Sequence, residues 1–126
     1  MSLSGKHAFI TGGGTGIGLA IATALAAQGA SVTITGRREA PLIDAANEPA
    51  GLFPLVMDVQ DEASVQTGFE KAVAQRGPIA ICVANAGIAE GRAIHKMDLE
   101  FWRNIMATNL DGAFLTIRAA LESMRS

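Results

Sequence analysis

His7-Ala8-Phe9-Ile10-Thr11 runs straight into Gly12-Gly13-Gly14-Thr15-Gly16-Ile17-Gly18, and the reading of this junction decides the fold. The first five residues are a compact apolar run, with Gly5 before it and glycines after it, which predicts a short buried strand over His7–Thr11. Beyond the glycines, Ile17, Ile21 and Leu25 recur at helical spacing with Ala20 and Ala24 beside them, and Gly29 follows as a C-terminal stop. Strand, glycine loop and helix thus follow one another without a spacer. Glycines allow a tight turn and a close approach of backbone to a ligand, and the free N–H groups of a helix start favour an anion. The spacing is G-x-x-x-G-x-G, not G-x-G-x-x-G, and no Gly-Lys-Ser/Thr follows to make a Walker A loop. A glycine turn without a ligand is the plain alternative. The strand before and the helix after favour the diphosphate of a dinucleotide.

The same alternation continues along the chain. Ser31–Thr35 reads as a second strand, Leu52–Met57 as a third ending at Asp58, and Ile79–Ala84 as a fourth, apolar throughout. A helix is predicted over Glu39–Asn47, with Pro41 tolerable in its first turn. Val65, Phe69 and Val73 mark another, ended by Gly77–Pro78. Strands recurring about every 20 to 28 residues with helices between them imply βαβ units and a parallel sheet. The handedness rule places the helices on both faces. The expected fold is therefore α/β, a doubly wound parallel sheet in strand order 3-2-1-4.

Leu99–Met124 reads as one long helix with two apolar stripes. Trp102, Met106, Leu110, Ala113, Ile117, Leu121 and Met124 form one; Phe101, Ile105, Leu115 and Ala119 form another on nearly the opposite side. A helix that only covers a sheet needs one apolar side. The second stripe is accordingly expected to pack against a partner helix.

Composition bounds the rest. The 126 residues suffice for one domain, and 49% apolar with 17% charged residues suits a globular protein with a buried sheet. A net charge of −2 offers no footprint for nucleic acid or an anionic membrane. The N-terminus has no basic and long apolar signal-peptide pattern, and no apolar run approaches a membrane span. The single cysteine, Cys82, sits in an apolar run and reads as a core thiol of a reducing, cytoplasmic compartment. No metal site is expected.

Ligands of open α/β sheets lie beyond the carboxyl ends of the strands, at the switch point, here between strands one and four. Strand four ends at Asn85-Ala86-Gly87, so the Asn85 amide falls where it can hold cofactor or backbone. Strand two ends at Thr35-Gly36-Arg37-Arg38. An acidic side chain there would suit the ribose hydroxyls of NAD; Gly36 followed by two guanidiniums suits a 2′-phosphate. NADP(H) is favoured on this ground, although Glu39 keeps NAD(H) open. Asp58 is placed either to accept from an adenine amino group or to cap the helix from Gln60 onward.

Taken together, Thr11-Gly12-x-x-x-Gly16-x-Gly18, Asp58-Val59, Asn85-Ala86-Gly87 and Asn109-Leu110-x-Gly112-x-Phe114 resemble the classical short-chain dehydrogenase/reductase family. The resemblance runs from about Leu3 to the last residue, with Ala84 and Ala80 where the family often has Asn and Asp. It implies a Rossmann-type fold with Gly12, Gly16 and Ile17 at the diphosphate, and Gly14, Thr15 and Gly18 completing that loop. It further implies Arg37 at the 2′-phosphate with Arg38 beside it, and Asp58 and Val59 at the adenine. Asn85, Ala86 and Gly87 would lie beside the riboses. Asn109 would be the Asn of an Asn-Ser-Tyr-Lys tetrad, supporting a water-linked proton relay; read alone, a structural hydrogen bond explains it equally well.

In the family a fifth strand then bears the catalytic Ser, and a following helix bears Tyr-x-x-x-Lys. This sequence contains no tyrosine, and Lys6, Lys71 and Lys96 are not suitably placed. The expected fold is thus truncated after the helix following strand four, with the proton donor for a carbonyl/alcohol substrate missing. Strand four, Ile79–Ala84, would be an apolar edge open to another chain. Together with the helix Leu99–Met124 it is expected to make the chain a homo-oligomer. The function expected is the cofactor-binding half of an NADP(H)-dependent oxidoreductase, with 3-oxoacyl thioesters one substrate class. A non-catalytic dinucleotide-binding or dimerisation module is the alternative. A methyltransferase-like domain would leave the arginine pair no phosphate to bind.

Overall fold

The computed structural model describes residues 2–47, 51–88 and 92–125. Four parallel strands form one sheet in the order β3-β2-β1-β4, with β1 His7–Thr11, β2 Ser31–Gly36, β3 Leu52–Val56 and β4 Ile79–Ala84. Helices α1 (Gly16–Ala27), α2 (Glu39–Ala46) and α3 (Glu62–Arg76) connect them. The expected α/β class, strand order and helix positions are those observed.

Every residue of β1 is buried, because helices cover both faces of the central strand. Its side chains alternate between two cores, as the period of a strand requires. Ala8 and Ile10 join Val32, Ile34, Ala22 and Leu42 on one face. Phe9 joins Met57, Val65, Phe69 and Ala120 on the other, where the Phe9 and Phe69 rings stack with centroids 3.9 Å apart. Cys82 packs against this second core, and burial pushes its thiol up to about 11, the behaviour of an inert core group.

Beyond β4, a short 3₁₀ turn at Ile94–Lys96 leads into α4 (Leu99–Met106), whose N-cap Asp98 accepts from Phe101 N–H at 2.7 Å. The predicted single helix is interrupted. A π-helical segment, Ala107–Asp111, separates α4 from α5 (Gly112–Met124).

The two stripes of this helix are used the opposite way from the expectation. Leu115 and Ala119, assigned to a partner, pack against the Phe9–Phe69 core. Trp102, Leu110, Ile117, Leu121 and Met124 are exposed instead. The reason is size. Thr108, Gly112, Thr116 and Ala120, at spacings of one helical turn, are the buried face, and small residues let the helix come close to the sheet. At Gly112 a Cβ would stand 2.7 Å from Val59 Cγ2, so only glycine allows that contact. Weighing bulk alone pointed the helix the wrong way.

The cap of α3 is a second correction. Asp61, not Asp58, is its N-cap, accepting from the N–H groups of Ala63 and Ser64.

Candidate dinucleotide site

The glycine loop is held from three sides. Gly12 and Gly16 have φ of 67° and 56°, in the left-handed region that other residues rarely enter. Thr15 is the N-cap of α1, in an extended conformation and without a side-chain capping bond. Gly18 lies so close to the loop that a Cβ there would be 2.1 Å from Gly12 O and 2.5 Å from Asn85 Nδ2. Gly14 abuts Leu42, where a Cβ would meet Cδ2 at 3.1 Å. Ile17, 74% exposed, stands on the first turn of α1, an apolar side chain beside the free end of the helix.

The end of β4 is tied to this loop by hydrogen bonds. Thr11 Oγ1 accepts from the N–H groups of Asn85 and Ala86, both at 3.0 Å. Asn85 Nδ2 donates to Gly12 O at 3.1 Å. The amide therefore holds backbone, one of the two uses foreseen for it. Asn109 in the π-helical segment holds the next stretch: Ile88 N–H donates to its Oδ1 at 2.7 Å, and its Nδ2 donates to Ile88 O at 3.1 Å. Such π-turns often occur at functional sites, because the extra residue re-aims a side chain.

A cleft of about 590 Å³ opens between these pieces at the carboxyl ends of the strands. Of the predicted residues, Gly12, Thr15, Arg37, Arg38, Asp58, Val59, Ala86 and Gly87 line it. Asp58 Oδ1 accepts from Gln60 N–H at 2.9 Å. Gly14, Gly16, Ile17, Gly18, Asn85 and Asn109 shape the loops around the cleft rather than its lining. Thr35, Met57, Ile88 and Thr108 also line it and were not singled out from sequence. The strand-end rule could have supplied Thr35 and Met57; Thr108 is placed by the π-turn, which leaves no mark in the sequence.

The larger groove, about 790 Å³, lies between α3 and α5 over Phe69, Val73 and Leu115. No residue of the glycine loop lines it. The smaller cleft is the better candidate because the loop backbone, two arginines and a carboxylate converge there. Among the described residues no group of three His, Cys, Asp or Glu could hold a metal, and no helix is long and apolar enough to cross a membrane.

A parallel sheet with a glycine loop at the switch point defines a Rossmann-type nucleotide-binding fold. The family described as short chain dehydrogenase matches residues 6–126. The chain belongs to this family of oxidoreductases, whose members bind NAD(P)(H). It is 38% identical over 128 residues to the NADP-dependent (R)-specific alcohol dehydrogenase of Lentilactobacillus kefiri, covering 98% of this chain and 50% of that protein. The 3-oxoacyl-[acyl-carrier-protein] reductase FabG of Escherichia coli is 38% identical over 126 residues, covering 98% and 51%. Among solved structures, a short-chain type dehydrogenase/reductase from Mycobacterium marinum superimposes with a TM-score of 0.93 at 39% identity, over 98% of this chain and 51% of that one. The 3-ketoacyl-(acyl-carrier-protein) reductase of Brucella melitensis, complexed with NADH, gives 0.91 at 32% identity, over 97% and 51%. The chain spans about half the length of the relatives it matches.

Proposed function

We propose that these residues are the cofactor-binding half of an NADP(H)-dependent oxidoreductase acting on a carbonyl/alcohol pair. The observation that carries the reading is the convergence of the Gly12–Gly18 loop with Arg37 and Arg38 on one cleft. The loop fits a diphosphate. Its positive-φ glycines turn the chain at the start of α1, and the helix offers unpaired N–H groups to the anion. Arg37 and Arg38 follow β2 without an acidic residue between them and the strand, which suits a 2′-phosphate over a free ribose hydroxyl. Asp58 and Val59 take the adenine side, and Asn85, Ala86 and Gly87 the ribose side.

When bound, the nicotinamide accepts or donates a hydride. This chain's residues bind and orient that group. Asn109 takes part in a proton relay only if the remaining tetrad members are supplied, and the sequence has no tyrosine to supply one of them. The 126 residues alone therefore bind cofactor without turning over substrate. The Escherichia coli and Brucella melitensis proteins bear names of 3-oxoacyl thioester reductases and the Lentilactobacillus kefiri protein that of an alcohol dehydrogenase, which supports a carbonyl substrate and favours the thioester. The exposed stripe of α5 supports a homo-oligomer, and the lone thiol of Cys82 suits a reducing cytoplasm.

The test is a paired fluorescence titration of the chain with NADPH and NADH, repeated on an Arg37→Ala/Arg38→Ala variant. Tighter binding of NADPH, lost in the variant, supports the reading. Equal or NADH-favoured binding overturns the 2′-phosphate assignment and keeps the nucleotide site. A chain that binds neither nucleotide overturns the site itself.

A further inference from the structure

The π-helical segment Ala107–Asp111 touches both loops that frame the cleft. Asn109 grips Ile88 on one side. On the other, Gln60 Nε2 donates to Asn104 Oδ1 at 3.0 Å and to Thr108 Oγ1 at 2.5 Å, so both amide hydrogens are engaged with the α4–π-helix stretch. The backbone N–H of the same Gln60 donates to Asp58 Oδ1. One residue thus joins the Asp58–Val59 stretch to Thr108, while Gly112, one turn further along the same helix face, lets Val59 lie against the helix backbone. Asp58, Val59 and Thr108 line the cleft, and Gln60 stands behind them.

We propose that Gln60 is a positioning residue for the adenine end of the cofactor: its side-chain amide holds the Asp58–Val59 stretch in register with Thr108, so that together they form the cleft wall on which the purine rests. The inference rests on the dinucleotide reading above. The chemistry is selective for residue type. Spanning from the β3–α3 loop to the helix takes a side chain of glutamine's length, and two acceptors, an amide oxygen and a hydroxyl, require two N–H donors on it. A methionine of the same length fills the space without donating.

The experiment measures dissociation constants of the chain for NADPH, ADP and nicotinamide mononucleotide, with thermal unfolding of each variant alongside. Gln60→Met is expected to weaken ADP and NADPH by the same factor, about threefold to tenfold, for the loss of two hydrogen bonds, and to leave nicotinamide mononucleotide unchanged. Thr108→Val should weaken ADP, and Thr108→Ser, which keeps the acceptor, should bind it as the unsubstituted chain does. The Gln60→Met/Thr108→Val double variant should lose less than the product of the two single losses, because the two residues share a bond. A purely structural clamp would lower the unfolding midpoint of Gln60→Met and leave the affinities of the folded chain alone. That result, or a loss spread equally over nicotinamide mononucleotide, overturns the proposal. If the unsubstituted chain binds neither NADPH nor ADP, the dinucleotide reading fails first and takes this inference with it.

Discussion

The two edges of the sheet are built in opposite ways. At the β3 edge, Gly51 O accepts from Val32 N–H and Met57 N–H donates to Gly36 O, so by alternation Leu52, Pro54 and Val56 turn their backbone groups outward. Pro54 has no N–H to offer there, and the Arg76 guanidinium lies 3.4 Å from the centre of the Phe53 ring. That edge is blunted against pairing. The β4 edge reads Ile-Ala-Ile-Cys-Val-Ala, with neither proline nor charge, and α5 beside it exposes Ile117, Leu121 and Met124. One edge carries devices against pairing and the other carries none.

The largest effect expected is on association. If the exposed face of α5 is covered by a second copy, Ile117→Glu/Leu121→Glu should weaken self-association by about a hundredfold or more, since each buried aliphatic side chain contributes about 1.5–3 kcal/mol. Light scattering over a range of concentrations checks it. A chain that is monomeric with and without the substitutions would break the comparison.

Next is the link that His7 makes across the sheet, from β2 to the start of β4. His7, 2% exposed, opens β1 beside a register irregularity with β4. Its Nε2 meets Thr33 Oγ1 on β2 at 2.7 Å, and its Nδ1 meets Gly77 O, just before β4, at 2.8 Å. The carbonyl can only accept, so Nδ1 carries the proton and Nε2 accepts from the threonine hydroxyl. Burial holds the ring below the ordinary histidine value; the Gly77 carbonyl opposes this, and the charge of Arg76 adds to it. The folded state thus prefers neutral His7, and the unfolded chain binds the proton more readily. Stability from this group is complete above pH about 6.5 and falls by up to about 1.4 kcal/mol per unit as pH drops toward the lower folded value. Denaturant midpoints at pH 7.5 and 5.5 should differ for the natural chain more than for His7→Gln.

A third effect sits under the open edge. Thr116 is fully buried on α5, and among the described residues its Oγ1 has no hydrogen-bond partner. Thr116→Val keeps the shape and removes the stranded hydroxyl, so it should stabilise the chain by about 1 kcal/mol. A loss of stability in urea titration would show that the hydroxyl is satisfied in solution.

The unevenness of the fold also explains what the sequence made legible. Strands β1 and β4 were readable to the residue, and the glycine loop with Arg37 and Arg38 was readable as a site. Local rules act there: continuous apolar runs are buried strands, and glycine spacing sets a turn. The inward face of α5 was not readable, since Thr108, Gly112, Thr116 and Ala120 carry little hydrophobic signal and are chosen for closeness to the sheet. Gln60, Thr108 and the π-turn at Asn109 were hidden for a related reason. Their partners are distant in sequence, 44 and 48 residues away for the Gln60–Asn104 and Gln60–Thr108 bonds and 21 for Asn109–Ile88, and no local pattern announces them.

The smallest effect tests the blunted edge itself. Arg76 ends α3 and stands over the Phe53 ring, whose strand has solvent on its outer side. A guanidinium over a ring at a partly exposed site contributes about 0.5–1 kcal/mol. Arg76→Ala should cost that amount, and Arg76→Lys should recover only part of it, because a compact ammonium cannot stack as a planar guanidinium does. The same substitution uncovers the flank of β3 without creating a new backbone donor, since Pro54 still occupies the middle of the strand. Arg76→Ala should therefore lower stability without promoting aggregation, whereas Arg76→Ala/Pro54→Val should do both. Equal aggregation of the two variants would place the protection of this edge in the arginine alone and leave the proline no part in it.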